Sequence, residues 1–236
     1  MMLGVLGGMG PMATVDFMGK VIRNTPAACD QDHIEMVVCS ATSVPDRTAA
    51  ILDQGRDPLP AMLDALDRLE RSGATCIAIP CNTAHHWHGA LQARTRVPIL
   101  HIVDALADAL AARGLKGTTI GVLATDGTVR AGIYQRRLAK RGYACAMPDG
   151  AGQAEVMRAI RLVKAGDVDA ATTILSRQAQ ALVAKGCSHV AMACTEIPLA
   201  LAAVQGELKQ RMLDPTDILA QACVRSCLVT PERRVA

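Results

Sequence analysis

Two segments, PCNTAHH at residues 80–86 and ACTEIPL at 193–199, each set a cysteine beside Asn or Thr where a helix should begin. Cys81 and Cys194 are the residues whose type and setting suit acid–base chemistry. A free thiol titrates near 8.5, so only about 3% is thiolate at neutral pH. A helix N-terminus favours the anion by about 0.3–2 kcal/mol, which brings the thiolate fraction towards about a quarter and leaves abundant thiol. Such a pair suits proton exchange at one carbon: a base on one face, an acid on the other, with the roles swapped in reverse. A lone cysteine is ordinarily a packing residue; a matched pair favours chemistry.

The elements that must position these thiols follow from an alternation of short apolar runs and longer helical periods. Strands are expected near 3–6, 34–40, 75–80, 97–101, 119–124, 143–147, 188–193 and 211–214. Helices are expected near 12–24, 58–72, 83–95, 103–113, 128–141, 152–165, 168–185, 196–204 and 216–228. Pro11, Pro58, Pro60 and Pro215 stand at helix starts, where a missing N–H costs little. Buried strands alternating with helices imply parallel sheets covered on both faces.

An internal repeat is visible. LGVLGG at 3–8 matches IGVLAT at 120–125, an offset of 117 residues. GATCIAIPCNT at 73–83 matches GCSHVAMACTE at 186–196, and LHIVDALA at 100–107 matches LDPTDILA at 213–220, both offset by 113. Three pairs in order imply a duplicated unit. The expected fold is α/β: two similar Rossmann-like parallel-sheet domains, residues 1–114 plus 209–236 and residues 115–208. Strand C-termini are where such folds build sites, and both cysteines fall there.

Composition narrows the function. Half the residues are hydrophobic but only 2% are aromatic, so the core must be aliphatic and little is available to stack on bases. A net charge of +3 does not call for an acidic polymer; nucleic acid is not an expected partner. No apolar stretch is long enough to span a membrane, and no N-terminal targeting pattern precedes Lys20. Nine cysteines without a Cys-x-x-Cys pair read as reduced thiols in a cytoplasm.

The turn GGMGPMA at 7–13 nearly matches a dinucleotide-binding fingerprint, but the second strand ends in Cys39-Ser40-Ala41 rather than in the acid a ribose needs. The turn is expected to offer the N–H groups of Met9 and Gly10 to a small anion, and Thr125 and Thr128 replace its glycines in the second copy. His85 and His88 share a helix face, yet no acid or cysteine spacing completes a metal site, and no metal is expected. His85 adjoins the first cysteine motif, where it is placed to tune the thiol. Cys223 and Cys227 read as packing residues, and RRLAKR at 136–141 as a solvated face.

GGMGPMAT, PDRT, PCNTAH, LATDGT and CTE occur in the order found in the aspartate/glutamate racemase family, and residues 3 to about 217 resemble its aspartate racemase branch. The resemblance implies a cofactor-independent amino-acid racemase, with its site in the cleft between two domains, and a homodimer. Cys81 and Cys194 would be the acid/base pair. Met9, Asn82, Thr83, Thr125, Thr195 and Glu196 would line the substrate, with Arg47 and Lys164 as candidates for a second carboxylate. Ala193 stands where the family often has Gly, an added methyl expected to narrow the site or shift the backbone and so to alter the substrate range. Glu196 stands where glutamate racemases commonly carry His. Other readings of the same residues are a hydantoin racemase, a decarboxylase or a cis–trans isomerase using these thiols, or a non-catalytic protein that binds a small acid.

Overall fold

The eight apolar runs read as strands all enter parallel sheets. The computed structural model describes residues 1–228; residues 229–236, the end of the first expected domain, lie outside the described residues. The chain parts into two units, Met1–Ala105 with the segment from Thr216 onward, and Leu106–Pro215.

The first unit runs β1 (Leu3–Gly7), α1 (Pro11–Asn24), a 3-10 turn at Asp30–Asp32, β2 (Met36–Ser40), α2 (Arg47–Ile51), α3 (Leu59–Arg71), β3 (Cys76–Ala78), a 3-10 segment Thr83–Trp87, α4 (His88–Gln92) and β4 (Ile99–Leu100). Helix α5 (Ile102–Ala112) leads into the second unit. There follow β5 (Thr119–Ala124), α6 (Asp126–Arg130), α7 (Ile133–Lys140), β6 (Ala144–Ala146), α8 (Gly150–Lys164), α9 (Val168–Ala184), β7 (His189–Ala193), α10 (Glu196–Ala200), α11 (Gly206–Arg211) and β8 (Met212–Leu213). Helix α12 (Pro215–Leu228) completes the described chain.

Strand order is β2-β1-β3-β4 in one sheet and β6-β5-β7-β8 in the other. The registers correspond as well. Leu3 pairs with Cys76 as Ile120 pairs with His189, and Ile77 pairs with Ile99 as Val190 pairs with Met212. These partners are displaced by the same 117 and 113 residues that separate the sequence copies. The helices before β3 and β7 end alike. Gly73 and Gly186 take φ of +90° and +92°, and the next N–H, of Ala74 or Cys187, reaches back to Leu69 or Leu182 at 3.1 Å. This is the left-handed glycine cap that lets a chain leave a helix with its last carbonyls satisfied.

Each unit buries an aliphatic core, as the composition requires. Leu6, Met62, Leu66, Ile77 and Ile79 pack in the first, and Leu123, Val156, Ile160, Leu175 and Val190 in the second.

Departures from the expected helices have local causes. The helix expected over 83–95 begins as a 3-10 segment and ends at Gln92. The Gln92 amide donates to the carbonyls of Thr95 and Val97 and accepts from the Ile99 N–H at 2.8 Å, turning the chain into β4. The helix expected over 128–141 divides at Gly132, whose φ of +59° redirects the backbone between α6 and α7. Helix 196–204 stops at Ala200, and α2 and α11 were not anticipated. Asp46 caps α2 by accepting from the Ala49 N–H at 2.7 Å.

Candidate active site

Cys81 lies three residues beyond β3, at the C-terminal edge of the first sheet. Its N–H donates to the Ile79 carbonyl at 2.8 Å, and His85 Nε2 bonds the same carbonyl at 3.0 Å. His85 therefore braces the loop that carries the thiol. Asn82 and Thr83 follow, both buried. Cys81 packs in one core cluster with Met9, Ala41, Val44 and Ala84, so the glycine turn, the loop after β2 and the cysteine loop converge there.

Arg47 opens α2 and folds back on this corner. Its Nη1 donates to the Val44 and Pro45 carbonyls at 3.2 and 2.9 Å, and its Nη2 reaches the Met9 carbonyl at 3.5 Å. Its Nε is buried with no hydrogen-bond partner among the described residues. Met9 contributes its side chain to the core and its carbonyl to Arg47. The Gly8 N–H is taken by Thr14 Oγ1 at 2.8 Å. Gly8 has φ +86°, and a Cβ there would stand 2.4 Å from the Ala41 nitrogen. Close packing against the loop after β2 thus accounts for this glycine without a dinucleotide.

In the second unit Cys194 directly follows β7. Its Sγ donates to Glu196 Oε2 at 2.9 Å, and Thr195 Oγ1 donates to the same oxygen at 3.0 Å. Lys164 Nζ, from the end of α8, stands 3.7 Å from Glu196 Oε1. The structure thus brings Cys194, Thr195, Glu196 and Lys164 into one cluster. Burial pushes the Cys194 thiol well above its ordinary range, the Glu196 charge and hydrogen bond push it further, and Lys164 opposes them. The lowering expected from a helix N-terminus is outweighed here: α10 has only five residues, and its first is the opposing carboxylate.

Thr125 caps α6, its Oγ1 accepting from the Thr128 N–H at 3.2 Å and lying 3.0 Å from Thr128 Oγ1. Gln153 was not among the expected residues; its Nε2 donates to the Ala124 carbonyl at 3.0 Å and to Asp126 Oδ1 at 2.8 Å. No periodicity marks it, since it lies inside an ordinary helix. Ala193 is fully buried and pairs with Ala124 in the register of the second sheet. The rings of His85, His88 and His101 pack on one another at 4.5–5.9 Å. Among the described residues no group of three His, Cys, Asp or Glu is placed to hold a metal ion.

The family described as Asp/Glu/Hydantoin racemase matches residues 6–223. The broad specificity amino-acid racemase RacX of Bacillus subtilis is 29% identical over 233 residues, 96% of this chain and 98% of that protein. The solved Picrophilus torridus aspartate racemase is 30% identical with a TM-score of 0.84, covering 99% of this chain and 97% of that one. Glutamate racemase of Campylobacter jejuni shares the fold at 21% identity and a TM-score of 0.65, over 96% of this chain and 84% of that one.

Proposed function

We propose that this chain, which belongs to the Asp/Glu/Hydantoin racemase family, racemises an acidic amino acid, aspartate before glutamate, by proton transfer between two cysteines. The observation that carries the reading is the equivalence of Cys81 and Cys194. Each follows the third strand of its sheet copy, each is 7% exposed, and each belongs to the core cluster of its own unit.

In this mechanism one thiolate takes the α-proton, its lone pair forming the S–H bond while the C–H pair passes into the α-carboxylate. The opposite thiol then gives its proton to the other face of the planar carbon. Asn82 and Thr83, with backbone N–H groups of the Met9 turn and the Thr125 segment, are the donors for the growing carboxylate charge, while the Thr195 hydroxyl proton is held by Glu196. Arg47 and Lys164 are the ligands of the substrate's second carboxylate. The buried, unpartnered Nε of Arg47 supports this, because an incoming carboxylate would satisfy it. The reaction as written uses no pyridoxal cofactor.

We further place the protein in the cytoplasm as a homodimer. All nine cysteines are free thiols, which accords with a reducing compartment. Met12, Val15 and Ile22 form an exposed apolar stripe along α1, which accords with burial against a second copy; sedimentation checks this. No helix among the described residues is long and apolar enough to cross a membrane.

The decisive test is proton NMR in D₂O with L-aspartate, then L-glutamate, alongside chiral chromatography. Wild type should exchange the α-hydrogen and form the D-isomer, and Cys81→Ala and Cys194→Ala should each abolish inversion. Racemisation surviving both substitutions would remove the thiols from the mechanism; no turnover of either amino acid would remove the substrate.

A further inference from the structure

The two cysteine copies are not chemically equal. At the 113-residue offset, Asn82 corresponds to Thr195 and Thr83 corresponds to Glu196. The duplicated frame therefore puts a carboxylate beside one thiol and a neutral hydroxyl beside the other. Glu196 has a side chain only 13% exposed, and its Oε2 receives both the Cys194 sulfur and the Thr195 hydroxyl, at 2.9 and 3.0 Å.

We propose that Glu196 is a positioning residue that holds Cys194 as the proton-bearing thiol in the resting enzyme, so that the first proton is taken by the other cysteine and given by Cys194. This rests on the two-thiol reading above and adds a direction to it. A thiolate has no proton to donate, and a second negative charge so close to Glu196 would be repelled. The charged groups around the pair do not cancel this. Lys164 from α8 is half exposed and 3.7 Å from the far carboxylate oxygen. Tyr134, from α7, is fully buried and kept neutral by burial, with Asp214 beyond β8 and Cys145 of β6 adding to that bias. After one turnover the proton stands on the first cysteine and Cys194 is left as thiolate beside Glu196. The enzyme must then return the proton before it can accept the same enantiomer again.

The test follows the Cys194 proton itself. Protein made with ¹³Cβ-labelled cysteine is titrated by NMR, with the Cys194 resonance assigned by its loss in Cys194→Ser. Glu196→Gln should lower the Cys194 midpoint by about one pH unit or more, Glu196→Asp should keep it high, and the Cys81 midpoint should stay in place. Lys164→Met, at an exposed position that leaves the fold intact, should raise the midpoint. The alkaline limb of the racemisation pH profile should move down with Glu196→Gln by the amount seen in the titration. A purely structural glutamate would lower the rate without moving that limb.

An unmoved Cys194 midpoint in folded Glu196→Gln overturns the proposal while leaving racemisation intact. If Glu196→Gln does not fold, a fall of the midpoint in Lys164→Met overturns it instead. A shifted midpoint in a protein that racemises neither acid supports the role of Glu196 and removes the substrate assignment.

Discussion

Gly8→Ala should damage the first unit far more than its one added methyl suggests. The native φ of +86° lies in the left-handed region, where a side chain costs about 1–2 kcal/mol. The new Cβ would also stand 2.4 Å from the Ala41 nitrogen and 2.6 Å from its carbonyl carbon. These are backbone atoms that cannot rotate away, and overpacking of this kind costs about 1–3 kcal/mol. Reduced freedom of the unfolded chain returns about 0.4–1 kcal/mol, so a net loss of about 3 kcal/mol, within about 1–5, is expected. Gly89→Ala is the internal control. Gly89 lies in α4 with nothing within 4 Å of a Cβ and no positive φ, so the substitution should stabilise by about 0.5–1 kcal/mol. Urea unfolding followed by circular dichroism reads both variants, and a thermal scan should show Gly8→Ala falling by about 5–15 °C. Equal effects of the two substitutions, or a neutral Gly8→Ala, would refute the reading of the turn as a packing device.

Arg47→Lys keeps the charge but cannot bond three carbonyls and a substrate together. We expect KM for an acidic amino acid to rise about tenfold with kcat little changed, about 1.4 kcal/mol of uniform binding, measured by initial rates; equal losses of kcat and KM would mark the residue as structural. His189 is held below its ordinary 6.5 by burial first, then by Arg113 and Arg211. The unfolded chain therefore binds a proton that the fold refuses, and stability is full above 6.5 and declines as the pH falls below it. Urea midpoints at neutral and mildly acidic pH should converge in His189→Gln, and an unchanged acid loss would exclude this residue as its source.

What the sequence made legible was whatever depends on periodicity and repetition. Leu3–Gly7 and Thr119–Ala124 are nearly wholly buried central strands, and continuous apolar runs announce such strands. The 113-residue spacing of Cys81 and Cys194 carried over directly into strand register. Elements set by a single side chain were harder to see. The Gln92 amide ends α4, and Asp46 starts α2 within a run that otherwise reads as a turn. Gly132 did stand inside the expected helix as a visible breaker. The contrast between Thr83 and Glu196 was also present in the aligned repeat. Its meaning depends on where one carboxylate oxygen lies, and spacing alone does not give that.

The aromatic poverty that forced an aliphatic core also makes the protein optically sparse. Its single tryptophan, Trp87, sits in the 3-10 segment just past Cys81, with His86 edge-on at 4.7 Å, while both tyrosines, Tyr134 and Tyr143, belong to the other unit. Red-edge excitation therefore illuminates one unit alone, and tyrosine emission reports on the other. Each half of the duplication carries its own native chromophore, so ligand arrival and unfolding can be followed in the two halves separately without attaching a label.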